Sequence, residues 1–254
     1  MKYKNVILEK KNRIAKLTLN RPQARNALDA ALAQDIKSAL EEIRHDESVD
    51  VVIFTGSGNS FCAGMDVKAV TAPRGKVVNP LPIVRDVFDL MESLEQPIIV
   101  AVNGYAVTGG FELALAGDII IASENAVFRD THALLGVIPG GRNTQRLPRL
   151  VGAMKAKELL FTGEPISAIE AERIGMINHV VPLEKLQEAA QEMADKVLRA
   201  DVVAVKKIKS LVNQGLLTDL KAGILLEKLA FARLDEERDP EATRKRWKTY
   251  YPKA

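Results

Sequence analysis

Residues 98–123 read IIVAVNGYAVTGGFELALAGDIIIAS. Five consecutive apolar residues, 98–102, lead into the small-residue stretch 103–110, then an apolar segment to residue 116, then a second apolar run at 119–122. An uninterrupted apolar run without alternation predicts a strand buried on both faces. The segment between the two runs is too long for a hairpin and predicts a helix over 110–116. Strand, helix, strand in this order implies parallel pairing, because a crossover helix is what parallel neighbours need.

Working outward, Val51-Val52-Ile53-Phe54 is a run of the same kind. Residues 6–8 and 14–19 predict two short strands around the charged turn 9–13, and Arg21-Pro22 ends the second. Leu32, Ile36, Leu40 and Ile43 recur every three or four residues and predict a helical face within 28–43, capped by Asn26 or Asp29. A further helix is expected over 82–94, and the stretch 71–80 (TAPRGKVVNP) has loop composition. From residue 183 onward the pattern is helical. Leu198, Val202, Val205, Ile208 and Leu211 line one face, and Leu220, Ile224 and Leu229 another; a lid and an oligomerisation element are both open readings. The expectation is an α/β core over residues 1–190 and a helical segment over 191–254.

The chain has 254 residues, 47% apolar and 27% charged, with 36 Lys+Arg against 33 Asp+Glu for a net charge of +3. That balance excludes a collagen-like fibre and a disordered tail. A single cysteine, Cys62, excludes an intramolecular disulfide, and it reads as a packing residue. His45, His132 and His179 are too scattered for a metal cluster. No apolar run is long enough to span a membrane, and the lysine-rich start is not patterned as a signal peptide; a cytoplasmic location is expected. The basic run Arg244-Lys245-Arg246-Trp247-Lys248 reads as a solvated helix face, and positive charges interleaved with acids, as in Leu234-Asp235-Glu236-Glu237-Arg238-Asp239, argue against a nucleic-acid partner.

Two strand-to-helix junctions carry the chemistry. One is Ser60-Phe61-Cys62-Ala63-Gly64-Met65-Asp66; the other is Asn103-Gly104-Tyr105-Ala106-Val107-Thr108-Gly109-Gly110-Phe111-Glu112. Small residues let a ligand approach the backbone, and helix starts leave amides unpaired. Two such amides aimed at one point make an oxyanion hole. Neither junction is a phosphate-binding fingerprint.

The blocks FTGSGNSFCAGMDVKAV, VNGYAVTGGFELALAGDIIIAS and FRDTHALLGVIPGGRNTQRLPRLVG, with LNRPQARNALDAAL before them, resemble the crotonase (enoyl-CoA hydratase/isomerase) superfamily in content and order. The resemblance covers residues 8–181 and implies a spiral core of ββα units, a coenzyme A thioester as substrate, and a homotrimer or dimer of trimers. It implies no metal or redox cofactor, coenzyme A being part of the substrate. By motif, the Met65 and Gly109 amides would hold the thioester oxygen, and Ala63, Asp66, Val67 and Lys68 would follow the coenzyme. Asp66 is equally open to a helix-capping role. Glu112 stands at the first catalytic glutamate of the hydratases, and His132 stands where the second would be. His132 is therefore open to three readings: proton donor, pocket lining, or inert replacement.

The activity this implies is reversible hydration of a 2,3-enoyl-CoA. A 3,2-enoyl-CoA isomerase working with one glutamate is the rival enzyme, and a non-catalytic acyl-CoA or RNA binder the rival of another class. With one carboxylate missing, slow hydration of crotonyl-CoA is expected, and His132→Glu is expected to raise it.

Overall fold

In the computed structural model, which describes residues 2–71, 73 and 76–251, the chain opens with the antiparallel hairpin β1 (Val6–Lys11) and β2 (Ile14–Leu19). Helix α1 (Ala30–Arg44) follows. Of the two expected caps Asp29 takes the role, its carboxylate accepting the Leu32 N–H at 2.8 Å, and Leu32, Ile36, Leu40 and Ile43 are buried along one side. Next come β3 (Val51–Gly56), β4 (Ser60–Cys62), α2 (Val67–Thr71) and α3 (Leu81–Ser93). Of the expected loop 71–80, residues 72, 74 and 75 lie outside the described residues. The stretch 98–123 gives β5 (Ile98–Val102), β6 (Tyr105–Val107), α4 (Gly109–Leu115) and β7 (Ile119–Ser123). The chain continues through β8 (Val127–Arg129), α5 (Asn143–Val151), α6 (Ala153–Thr162), β9 (Ile166–Ser167), α7 (Ala168–Arg173), β10 (His179–Val181) and α8 (Leu186–Arg199).

The middle of the chain winds as a spiral, with successive turns placing one strand in each of two sheets. The large sheet runs β1-β2-β3-β5-β7-β10 and is parallel except for β1–β2; the small sheet runs β4-β6-β8-β9, with only β9 antiparallel. Leu17, Phe54, Val100 and Ile120 align across four strands of the large sheet and enter the main core. The alternate residues Val51, Ile53, Ile99 and Ala101 face the other way, onto Leu186, Ala190 and Ala194 of α8. Both faces are thus covered, which is why these strands read as continuous apolar runs rather than alternating ones.

The chain divides into two compact units, residues 1–202 and 203–254. The expected boundary at residue 190 is corrected accordingly. It would cut α8 through the face that covers the large sheet, where Leu186, Ala190 and Ala194 recur every four residues and are almost fully buried. The second unit contains α9 (Val202–Gly215, whose first residue closes the first unit), α10 (Leu220–Glu237) and α11 (Pro240–Tyr250). Asp219 caps α10 and Asp239 caps α11. Leu217, Leu220, Leu229 and Phe231 are all exposed. Among the described residues no helix is long and apolar enough to cross a membrane.

Candidate active site

The first junction is fixed from outside its own segment. Asn26, fully buried at φ 55°, donates from Nδ2 to the Ser57 and Ser60 carbonyls at 3.0 and 2.8 Å, and its Oδ1 accepts the Arg21 N–H at 2.8 Å. Asn103 donates to the Gly58 carbonyl at 2.9 Å. Leu28 then pairs with Met65 as a parallel bridge: the Leu28 N–H donates to the Gly64 carbonyl at 2.7 Å, and the Asp66 N–H to the Leu28 carbonyl at 2.9 Å. Those bonds use the groups on either side of Met65 and turn its own N–H to the opposite edge.

The second junction passes through Thr108, held at φ 52° and ψ −110°, a region that β-branched residues rarely occupy. Its hydroxyl lies 2.5 Å from that of Thr131, and its N–H donates to the Arg129 carbonyl at 2.7 Å. Its carbonyl accepts the Glu112 N–H at 2.9 Å, the first bond of α4. The Gly109 amide, at the first position of that helix, has no acceptor within it.

The two expected donors are neighbours. A Cβ placed on Gly109 would lie 3.8 Å from the Met65 nitrogen, and one on Gly64 would lie 3.4 Å from the Gly109 nitrogen. Nearby, Ala63 is half-buried and donates its N–H to the Arg25 carbonyl at 3.0 Å. Asp66 takes the capping role: its carboxylate accepts the Lys68 N–H at 3.0 Å and lies 3.3 Å from the Arg21 guanidinium. Val67 and Lys68 begin α2 as exposed residues.

Glu112 is 3% exposed on α4, and its Oε1 accepts the Gly141 N–H at 2.5 Å. Gly141 has no room for a side chain, since a Cβ there would meet the Phe88 ring at 2.5 Å and the Glu112 Cδ at 2.7 Å. Beside it Arg142, at φ 79°, forms ion pairs with Asp89 and Glu92 of α3 and holds the loop down. Burial pushes the Glu112 carboxyl above the usual carboxylate range, against the opposing pull of the His132 charge and the Gly141 N–H.

His132 meets Glu112 here, its Nε2 3.7 Å from Oε2, too far for a direct hydrogen bond. Its Nδ1 lies 2.7 Å from Asp130 Oδ1, which also accepts the His132 N–H at 3.0 Å. The other oxygen of Asp130 accepts from Asn143 Nδ2 at 2.8 Å. Burial alone would lower the imidazole pKa; the Asp130 hydrogen bond and charge outweigh it, and the pKa is raised. Burial likewise opposes ionisation of Asp130, and the bonds from His132 and Asn143 bring its pKa below the ordinary value.

Sequence reasoning had given Asp130 no role, because it does not fall on the family position, and had not brought in Gly141 or Asn143. Asp130 carried a local signal, the aspartate two residues before an amide that is the mark of an Asx turn. Gly141 and Asn143 carried none. Cys62 is fully buried, and burial pushes its thiol up to about 12, so it stays a packing residue. His45 at the end of α1 and His179 in β10 are exposed.

The spiral of paired strands and the two junctions that converge beside Glu112 are matched across the chain by one family: the family model described as Enoyl-CoA hydratase/isomerase matches residues 9–250. The chain belongs to that family. It is 42% identical over 235 residues to a crotonyl-CoA hydratase of Syntrophomonas wolfei, covering 91% of this chain and 90% of that one. It is 43% identical to a short-chain-enoyl-CoA hydratase of Clostridium acetobutylicum, with 91% and 89% covered. The crystal structure of an enoyl-CoA hydratase from Bacillus anthracis superposes with a TM-score of 0.92 at 36% identity, over 97% of both chains.

Proposed function

We propose that the chain hydrates a short 2,3-enoyl-CoA reversibly. The observation that carries this is the buried Glu112 held at the Gly141 amide with a second proton-transferring group, His132, 3.7 Å away. The names of the relatives supply the substrate class. The Met65 and Gly109 amides receive the thioester oxygen as negative charge develops on it; losing one such donor typically costs about 3–4 kcal/mol of transition-state stabilisation. Ala63, Asp66, Val67 and Lys68 flank the coenzyme, Asp66 by shaping α2 rather than by contact.

In the addition direction Glu112, as carboxylate, takes a proton from water while the water oxygen bonds C3. The electrons of the double bond move onto the thioester as an enolate. His132, as imidazolium, donates its proton to C2. Glu112 then holds one proton more and His132 one fewer, and transfer between them restores the start. The sum is the addition of one water. The raised Glu112 pKa makes its carboxylate a better base toward water, and the raised His132 pKa favours the imidazolium that donates to C2.

The reaction needs no metal or redox cofactor in this scheme. A product-resolved assay over enoyl-CoA chain lengths, run before and after dialysis against EDTA, tests both parts. Hydroxyacyl-CoA formed at an undiminished rate is the expected result; double-bond migration alone, or loss on chelation, overturns the reading.

Assembly as a homotrimer or dimer of trimers is supported by the exposed Leu217, Leu220, Leu229 and Phe231, too much apolar surface for a lone helical segment in water. Deleting residues 203–254 is expected to dissociate the assembly or make it aggregate. A truncated chain that remains trimeric by light scattering would place the interface elsewhere. Cytoplasmic residence accords with the lone, buried cysteine, and cell fractionation checks it.

A further inference from the structure

Asp130 lies two residues before His132 and is hydrogen-bonded to its ring, and His132 stands where the hydratase pattern calls for a second carboxylate. We propose that Asp130 and His132 together replace it, Asp130 acting as the positioning residue that fixes the imidazole and supplies its negative charge. This rests on the hydratase reading above and extends it to how the missing carboxylate is compensated.

The geometry carries the proposal. Asp130 is 2% exposed, and its two oxygens receive His132 Nδ1 at 2.7 Å, the His132 N–H at 3.0 Å and Asn143 Nδ2 at 2.8 Å. A carboxylate bound to Nδ1 holds a proton there, so the proton that leaves and returns is the one on Nε2. That nitrogen is the one facing Glu112, at 3.7 Å. Asp130 plays the part of the third group of a triad, orienting the imidazole and stabilising its cation.

Charge counting gives the same answer. Let one proton be shared between Glu112 and His132, with Asp130 ionised. The trio then carries a single negative charge whether the proton is on Glu112 or on Nε2. Two carboxyl groups sharing one proton also carry a single negative charge. The aspartate–histidine pair is therefore the electrostatic equal of one carboxylate, with its proton-bearing atom placed further forward. The groups that act on this balance are Glu112 from α4, Asp130 from the segment after β8, and Arg146 of α5, whose positive charge interacts with Glu112.

The proposal reverses one sequence expectation. His132→Glu was expected to raise hydration by restoring a carboxylate. With Asp130 in place it would instead set a third buried carboxyl group against the other two, and like charges at that distance oppose ionisation.

The test has an arm independent of turnover. In the full-length protein without ligand, the His132 imidazole followed by NMR, assigned against His132→Gln, is expected to titrate above the ~6.5 of a free side chain. In Asp130→Asn it is expected to fall by about one unit or more. An unchanged value in Asp130→Asn overturns the proposal, whatever the enzyme catalyses. In turnover, His132→Glu is expected to lose at least about tenfold in kcat. The double variant Asp130→Asn, His132→Glu, which again leaves two carboxyl groups, is expected to recover most of that loss. A single His132→Glu variant as active as wild type or faster, or a double variant no better than the single one, overturns the proposal. A wild type that hydrates no enoyl-CoA but shows the expected titration would instead overturn the hydratase reading and leave the pair standing.

Discussion

Glu112→Gln lowers kcat for hydration by at least ~10²-fold, equal to about 2.7 kcal/mol of barrier, while acyl-CoA binding stays close to wild type. The substitution keeps the shape of the side chain, and the amide oxygen still accepts the Gly141 N–H that now lies 2.5 Å from Oε1. What it removes is the ability to take a proton from water. Because Glu112 is buried with a raised pKa, its neutral form is already tolerated by the fold, so the neutral glutamine should not destabilise the core. Stopped kinetics with an intact melting temperature and intact binding of a saturated acyl-CoA are the expected set of results. Near-normal turnover would remove Glu112 from the mechanism.

Gly110→Ala has the second-largest expected effect, and it acts through the backbone. A Cβ at residue 110 would lie 2.0 Å from the Cys62 carbonyl oxygen and 2.7 Å from its carbon. Both atoms are main chain, so no rotamer change relieves the contact; α4 or β4 must shift. Overpacking of this kind costs about 1–3 kcal/mol, occasionally more, and the rigid contact puts this case at the upper end. The same shift separates the Met65 side of the site from the Gly109 side. A fall in kcat of ~10²-fold, the scale of losing one oxyanion donor, should therefore accompany the lower melting temperature. Gly215→Ala, where nothing lies within 4 Å, is the control expected to change neither. A Gly110→Ala enzyme with wild-type stability and turnover would mean that the close approach of α4 to β4 does not set the site.

The residues that organise the site differ in how far their partners lie along the chain, and that distance separates what could be read from what could not. The strands β1, β2, β3, β5 and β7 of the large sheet, the helices α1, α3 and α4, and the two small-residue junctions were legible in the sequence. Each depends on a local property: an apolar run, a period of three or four, or glycines at a strand end. The position of Glu112 in the first turn of α4 belongs with them. The small sheet was not legible, because its strands are two or three residues long and show no periodicity.

Tertiary structure alone decided the rest. The bond from Gly141 to Glu112 spans 29 residues, and the pairing of Arg142 with Glu92 spans 50. The division of the chain after residue 202 follows from α8 folding back on the large sheet, to which its sequence pattern gives no address. Asp130 shows the division most sharply. It stands two residues from His132, yet its meaning depends on Glu112 and Asn143 arriving from α4 and α5. Burial, and the hydrogen bonds and charges that oppose it, set the proton affinities of that cluster, and all of them are properties of the folded chain, so the sequence by itself determined which groups were present, and packing determined how strongly each holds a proton.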